Sequence, residues 1–525
     1  MLPVKVHRYI FLIATILLVI GLPVSYFLLS SAQILLSVNW LLEGNFKRKL
    51  KIIAQRKSIL LLLSIYIIHI IWLFNTIDLT YALHDIRIKL PLFALPIIYG
   101  TSDPFTKKEF NIIIRFFIAT VFVSSLITSY IILGFSRIDP VDSRYASLFI
   151  SHIRFALIVV LTIYTILYTV FFQFTSYTLN EKIVFIAIML WLIAFLVLLR
   201  SFTGIIIFIA LTPLSIIWWS YQQNKISYEI LSYLISFILL IGVVYYGFYS
   251  WQRFNKRYNI EFENLDKYTA NGNSYINQKD CDEYENGYQI WIYISLEELE
   301  NEWKRISEFP FDSLDRKRQK IKVTMIRYLT SLGYRKDSSG LAALSKTDVD
   351  MIEKGYTNYL QKNKFSLYPR IYELLWEIER YKKTGNPNGQ SLAQRIEYLK
   401  TGINIVKRKF WLGTGTGDVA DEFTEQYELD GSILKKELQH RTHNQFITFF
   451  LTFGIFGFLW FLFALFTPPL LEKKYRNLLF LIFFLIAALS MMNEDTLETH
   501  VGVSFFAFFY SFLLFSMPDK EEVND

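Results

Sequence analysis

Cysteine is all but missing from this chain. Cys281 is the single one in 525 residues, so no intrachain disulfide can form and no cysteine cluster can hold a metal. The first thirty residues lack a clear small-residue cleavage site behind their basic flank and long apolar stretch. They read as a retained first helix, not a removed signal peptide. The glycines of "GTGTGD" (Gly413, Gly415, Gly417) lack the Gly-Lys-Ser/Thr continuation of a nucleotide phosphate loop, and read instead as a helix C-cap and a tight turn. No clear internal repeat is present, which weighs against a secondary transporter or flippase.

What the chain has is apolar side chains: 53% of it is hydrophobic and 17% aromatic, with a mean hydropathy of +0.32. So apolar a protein would precipitate from water, and the expected solvent is a lipid bilayer. The net charge of +8 would hint at nucleic acid in a soluble protein. Here the basic residues cluster in short connectors such as "NFKRKLKIIAQRK" (45–57). They mark cytoplasmic loops, and no nucleic-acid partner is expected.

A hydrocarbon core about 30 Å thick needs roughly 20 apolar residues per helix. Segments of suitable length, some of them short, fall near 8–27, 29–43, 58–75, 88–101, 111–134, 153–174, 181–199, 202–220, 227–249, 444–467, 477–492 and 501–516. The expected fold is therefore an all-α polytopic membrane protein with about twelve transmembrane helices. Counted this way, "VKVHR", "TKKEF", "QQNK" and "EKKYR" land on one side, which puts both termini in the cytoplasm. The predicted divisions are nine spans in 1–249, a large outer loop domain in 250–442, three spans in 443–517 and a tail at 518–525.

The loop has helical periodicity. Ile396, Leu399, Ile403, Val406 and Phe410 recur at three- and four-residue spacing and predict one apolar stripe. The loop is expected to be a folded, mostly helical cap. Its aromatic residues, Trp303 among them, serve either its core or the stacking of sugar rings.

Ionisable residues converge on the outer rim of the spans. Arg200 ends the seventh, His443 opens the tenth, Arg144, His152 and Arg154 sit at the start of the sixth, and Glu494, Asp495 and Glu498 lie between the last two. Such residues at membrane depth are costly and line cavities or pathways. Several arginines at one rim suit an anionic headgroup, because the guanidinium fork matches phosphate oxygens.

"HNQFITFFLTFGIFG" carries His443 and Asn444, then nine residues, Gly454, two residues and Gly457. This pattern resembles the signature of the O-antigen ligases and polymerases, in the form found in Bacteroidetes-type bacteria. "QRIEYLKTGINIVKRKFWLGTGTGDV" (394–419) resembles the same family's stretch in which an arginine, here Arg395, opens an outer-loop helix ending in a Gly-x-Gly turn. The resemblance implies a metal-independent, cofactor-free, inverting glycosyltransferase of the GT-C type in the bacterial inner membrane, its active site facing the periplasm. The donor would be a glycan on undecaprenyl pyrophosphate. The acceptor would be lipid A–core for a ligase, or a second lipid-linked repeat unit for a polymerase.

By the same resemblance His443 is the catalytic residue and outer-face arginines hold the pyrophosphate. Arg395 is the first candidate, with Arg200, Arg441 and Arg154 beside it. Arg200 stands in "LLRSFTG", where the family's order is Ser-Arg, so Arg144 or Arg154 could substitute. Asn444, Glu494 and Asp495 support the site. Elementary chemistry agrees: a leaving pyrophosphate needs preorganised cations, and a sugar hydroxyl needs a base titrating near neutrality, which histidine supplies. Against these stand plainer readings: His443 as a helix cap, Arg200 snorkelling to the interface, Arg395 as a solvated helix residue.

Overall fold

A computed structural model describes residues 3–136, 147, 149–172, 177–278 and 280–518. Eleven helices run through the first half: α1 (Val4–Val24), α2 (Tyr26–Glu43), α3 (Phe46–Gln55), α4 (Lys57–Ile71), α5 (Leu79–Ile88), α6 (Pro91–Thr101), α7 (Lys107–Ile132), α8 (His152–Phe172), α9 (Leu179–Leu199), α10 (Phe202–Gln222) and α11 (Ile226–Asn255). Then come α12 (Leu296–Ile306), α13 (Ile321–Ser331), α14 (Ser338–Ala342), α15 (Lys346–Glu353), α16 (Tyr368–Thr384), α17 (Ser391–Arg408) and α18 (Val419–Leu429). The chain closes with α19 (Gln445–Leu471), α20 (Leu478–Met491) and α21 (His500–Phe515).

Over the described residues each predicted apolar segment is mostly helical, and the protein is an all-α polytopic membrane protein. Among the described residues eight helices are long and apolar enough to cross a membrane, or nine if α2 and α3 count as one span bent by 112°. The shorter apolar runs differ: 88–101 is mostly the eleven-residue α6, while α20 and α21 have 14 and 16 residues.

The chain divides into two compact units. Among the described residues the first comprises 3–136, 147, 149–172, 177–233 and 377–518, the second 234–278 and 280–376. The predicted loop 250–442 is thus split at residue 377.

In the first unit, α4 lies along α19, α6 along α21, and α8 against α9, α10 and α20. Aromatic rings fill the joints: Phe110 stacks on Phe512 at 5.3 Å and Tyr99 meets Phe508 edge-on at 5.7 Å. One end of the α4–α19 pair is closed by a fork from Arg56 to Glu472, with both nitrogens at 2.8 Å from the carboxylate oxygens. Such a two-pronged contact suits the planar guanidinium.

The second unit has its own core of Trp303, Leu299, Ile321, Met325, Tyr328 and Leu329. Trp303 is fully buried and its indole N–H donates to the Phe309 carbonyl at 2.8 Å, so it is a core residue and does not stack on sugar. The strands β1 (Tyr284–Glu285) and β2 (Tyr288–Gln289) form an antiparallel hairpin. Its turn, Asn286-Gly287, has φ of 49° and 90°, the left-handed pair that asparagine and glycine tolerate best.

Candidate functional site

The tenth apolar segment is not one straight rod. Gly454 adopts φ 61° and ψ −171° inside α19, a backbone conformation open mainly to glycine. In a continuous helix Phe449 and Phe461 would stand roughly 18 Å apart along the axis. Their ring centroids are 4.3 Å apart, so the stretch 445–453 folds sharply back on the rest of α19.

The glycine turn after α17 wedges into this break. Thr414 N–H donates to the Leu451 carbonyl at 2.8 Å, Gly415 N–H to Thr452 at 3.0 Å, and Ile455 N–H to Phe410 at 2.9 Å. A Cβ on Gly413 would meet the Thr452 carbonyl oxygen at 2.3 Å, and one on Gly454 that of Trp411 at 2.2 Å. Beyond the turn, the Asp418 carboxylate accepts from the backbone N–H of Ile77 and Asp78 at 2.8 and 2.7 Å. The glycines of "GTGTGD" therefore make a backbone-to-backbone joint. The α17 helix itself is capped earlier, at Lys409.

The break sets the start of α19 among the residues that join α20 to α21. Asn444 caps α19, accepting from Ile447 N–H at 3.1 Å and donating to the Met492 carbonyl at 2.9 Å. His443 precedes it with φ 52°, a left-handed conformation uncommon outside glycine and a pointer to function. Its backbone N–H donates to Asp495 Oδ2 at 3.2 Å, and its ring Nδ1 lies 3.7 Å from Glu494 Oε2. The other oxygen of Glu494 receives Arg395 Nη2 at 2.7 Å, while Arg395 Nη1 reaches the Asn493 side chain at 2.9 Å. Arg395, Glu494 and His443 thus form one line, drawn from three separate stretches of sequence.

Electrostatics follow from this packing. Burial would raise the Glu494 pKa, but His443 and Arg395 hold it below the ordinary carboxylate value. Asp495 is pushed up, first by burial and then by the nearby Glu498. His440 is pushed down by burial and by the charge of His443.

A second cluster adjoins the first. Glu498 receives Lys89 Nζ, Arg441 Nη1 and Gln445 Nε2, each at 3.0 Å. Lys89 also donates to Asp85 at 2.6 Å, and Arg441 to the Tyr81 hydroxyl. Burial works against the Glu498 charge, yet Lys89 and Arg441 hold its pKa far below the usual range. Asp85, Lys89, Tyr81 and Gln445 did not stand out in the sequence. The signal was available in "DIRIK": an acid and a base four residues apart at the edge of an apolar segment.

Of the predicted site residues, His443, Asn444, Arg395, Glu494 and Asp495 come together directly. Arg441 joins through Glu498, and Arg154 lines a small cavity with Glu494, Thr496 and Gly502. Arg200 caps α9 at φ 54°, half-buried. Thr203, three residues on, receives Asn493 Nδ2 at 2.8 Å. Arg144 lies outside the described residues. Among those residues no group of three or more His, Cys, Asp or Glu side chains is placed to hold a metal ion.

These features define a class: a polytopic membrane protein with a partly open histidine–carboxylate–arginine line at one end of its spans. Residues 355–462 match the family model described as O-Antigen ligase, which supports, over this stretch, the O-antigen ligase resemblance seen in the sequence. The stretch contains Arg395, the glycine joint and His443, and stops short of Glu494 and Asp495. No curated protein matches the chain.

Proposed function

We propose that this protein transfers a glycan from undecaprenyl pyrophosphate to an acceptor hydroxyl on lipid A–core, inverting the anomeric centre without a metal. On this reading it is a GT-C-type enzyme of the bacterial inner membrane with about twelve spans and both termini in the cytoplasm. The loop 250–442 and the site face the periplasm. The observation that carries the reading is the line Arg395–Glu494–His443.

His443 takes the proton of the acceptor hydroxyl, whose oxygen attacks the anomeric carbon. The bond from that carbon to the pyrophosphate breaks, and the undecaprenyl pyrophosphate leaves with the electron pair. Arg395, with Arg154 and Arg200, meets the charge that develops there. An arriving pyrophosphate competes with Glu494 for Arg395. Once released, Glu494 orients His443 alone, which couples donor binding to alignment of the base. Arg441 is already committed to Glu498 and Tyr81, and in this scheme it braces the pocket wall.

The test is glycan transfer from a defined undecaprenyl-linked donor by the purified chain in lipid. His443→Ala lowers the rate by about 10²–10⁴ with the protein folded and inserted, and near-normal transfer removes the assignment. Wild-type activity persists in EDTA; loss there with recovery on Mg²⁺ or Mn²⁺ sinks the metal-free mechanism. Deleting the protein from cells separates ligase from polymerase. A ligase leaves free core with lipid-linked polymer accumulating, and a polymerase leaves core bearing single repeat units.

A further inference from the structure

The second unit holds a cleft of about 830 Å³ that the transfer chemistry above does not use. It opens beside the C-terminal turn of α11, and its walls are tyrosine, amide and cation. Tyr258 and Tyr288 stack with ring centroids 4.4 Å apart. Arg253 lies 4.1 Å over the Tyr368 ring and Lys256 5.1 Å from that of Tyr258. Gln252 adds an exposed amide.

Among the described residues no acidic side chain lines the cleft. The nearby Glu285 is fully buried and paired with Arg327, Asn358 and Tyr372. Among the described residues neither Arg253 nor Lys256 has a carboxylate partner, and only ring faces hold them in place. Ring faces orient a cation without neutralising it, so two positive charges remain for whatever enters. Tyrosine rings match the C–H faces of pyranose sugars, and amides match their hydroxyls.

We infer that this cleft binds an acidic segment of the glycan, one whose sugars carry carboxylate or phosphate groups. The inference rests on the reading that the chain handles a glycan, and it names a feature of that glycan: negative charge.

The experiment uses the full chain in nanodiscs of zwitterionic lipid, titrated with hexagalacturonate and, separately, with uncharged maltohexaose. Hexagalacturonate binds at least about tenfold more tightly, as expected of charge-assisted contacts, and its affinity falls as salt rises. The double substitution Arg253→Gln with Lys256→Gln removes that preference, whereas Arg253→Lys with Lys256→Arg largely keeps it. Both positions are exposed, so neither change disturbs a core, and Lys256→Gln alone repeats the test without touching the Arg253–Tyr368 contact. Equal affinity for the two sugars, or unchanged binding by the Gln variants, overturns the inference. So does complete displacement of hexagalacturonate by phosphatidylglycerol, which makes an anionic lipid the occupant. His443→Ala separates this inference from the proposed function: it binds hexagalacturonate as the wild type does while its glycan transfer falls by about 10²–10⁴. If His443→Ala transfers normally and the cleft still selects acid, the mechanism falls and the cleft assignment stands.

Discussion

Two clusters of charge share the short stretch between α20 and α21, and they handle charge in opposite ways. Around Glu498 the hub is shut in: the Lys89, Asp85 and Glu498 side chains are 2%, 7% and 10% exposed, and Arg441 reaches the surface at 21%. Two cations and two carboxylates neutralise each other there. Around Glu494 the wall is open, with Arg395 29% and His443 34% exposed. A closed set of buried ions is scaffolding whose members cannot leave without stranding a partner. An open set can trade its internal partners for a ligand. The arginines of the two clusters are therefore not equivalent, although both precede or join the same motif.

The sharpest way to break this comparison is to remove the hub of the closed cluster. Glu498→Ala strands Lys89 and Arg441, and the expected cost is about 3–5 kcal/mol. It should be read as lost folded protein and a lower melting temperature in detergent. A variant that folds and melts like the wild type shows the cluster is not structural.

Next comes the pair of arginine substitutions. Arg395→Lys keeps charge but loses the fork, so transfer falls at least about tenfold with melting unchanged. Arg441→Lys does the reverse, losing about 1 kcal/mol of stability through one missing hydrogen bond and little activity. Transfer rate and melting temperature measured on both variants decide it, and matching profiles would erase the distinction.

The smallest effect is one of pH. Because the folded-state pKa of Glu494 is depressed, its contribution to stability is present above the ordinary carboxylate value. It is lost as pH falls through that value and below. Between about pH 5 and pH 3, Glu494→Gln should therefore lose less melting temperature than the wild type. Parallel melting curves for the two would show that the contact with His443 and Arg395 adds nothing.

Much of the fold was legible because long apolar runs in a bilayer have few options besides helix. Orientation on the helix was not. The predicted stripe is split: Ile396 at 37% and Ile403 at 39% on α17, and Phe410 at 39% just beyond it, are exposed, whereas Leu399 and Val406 are half-buried and Val406 packs against the core. The face that packs carries Ala393, Tyr398, Thr401, Gly402 and Ile405. A Cβ on Gly402 would come within 2.2 Å of the Thr442 methyl. The close contact needs the small Gly402, and the spacing of apolar residues alone does not show which side of a helix makes it. The same limit hid the break in α19: hydropathy sees one strongly apolar stretch of 27 residues and has no term for a glycine with positive φ.

The joint between the glycine turn and that break reaches beyond chemistry. Trp411–Gly415 and Leu451–Ile455 touch backbone to backbone, and neither stretch has room for a side chain at its glycine. Anyone exchanging loops between related chains to change what the enzyme accepts meets a rule about where to cut. A graft must carry both glycine stretches, from Lys409 through Gly457, or neither. A crossover placed between them pairs two surfaces shaped for other partners, and the yield of inserted protein will report it.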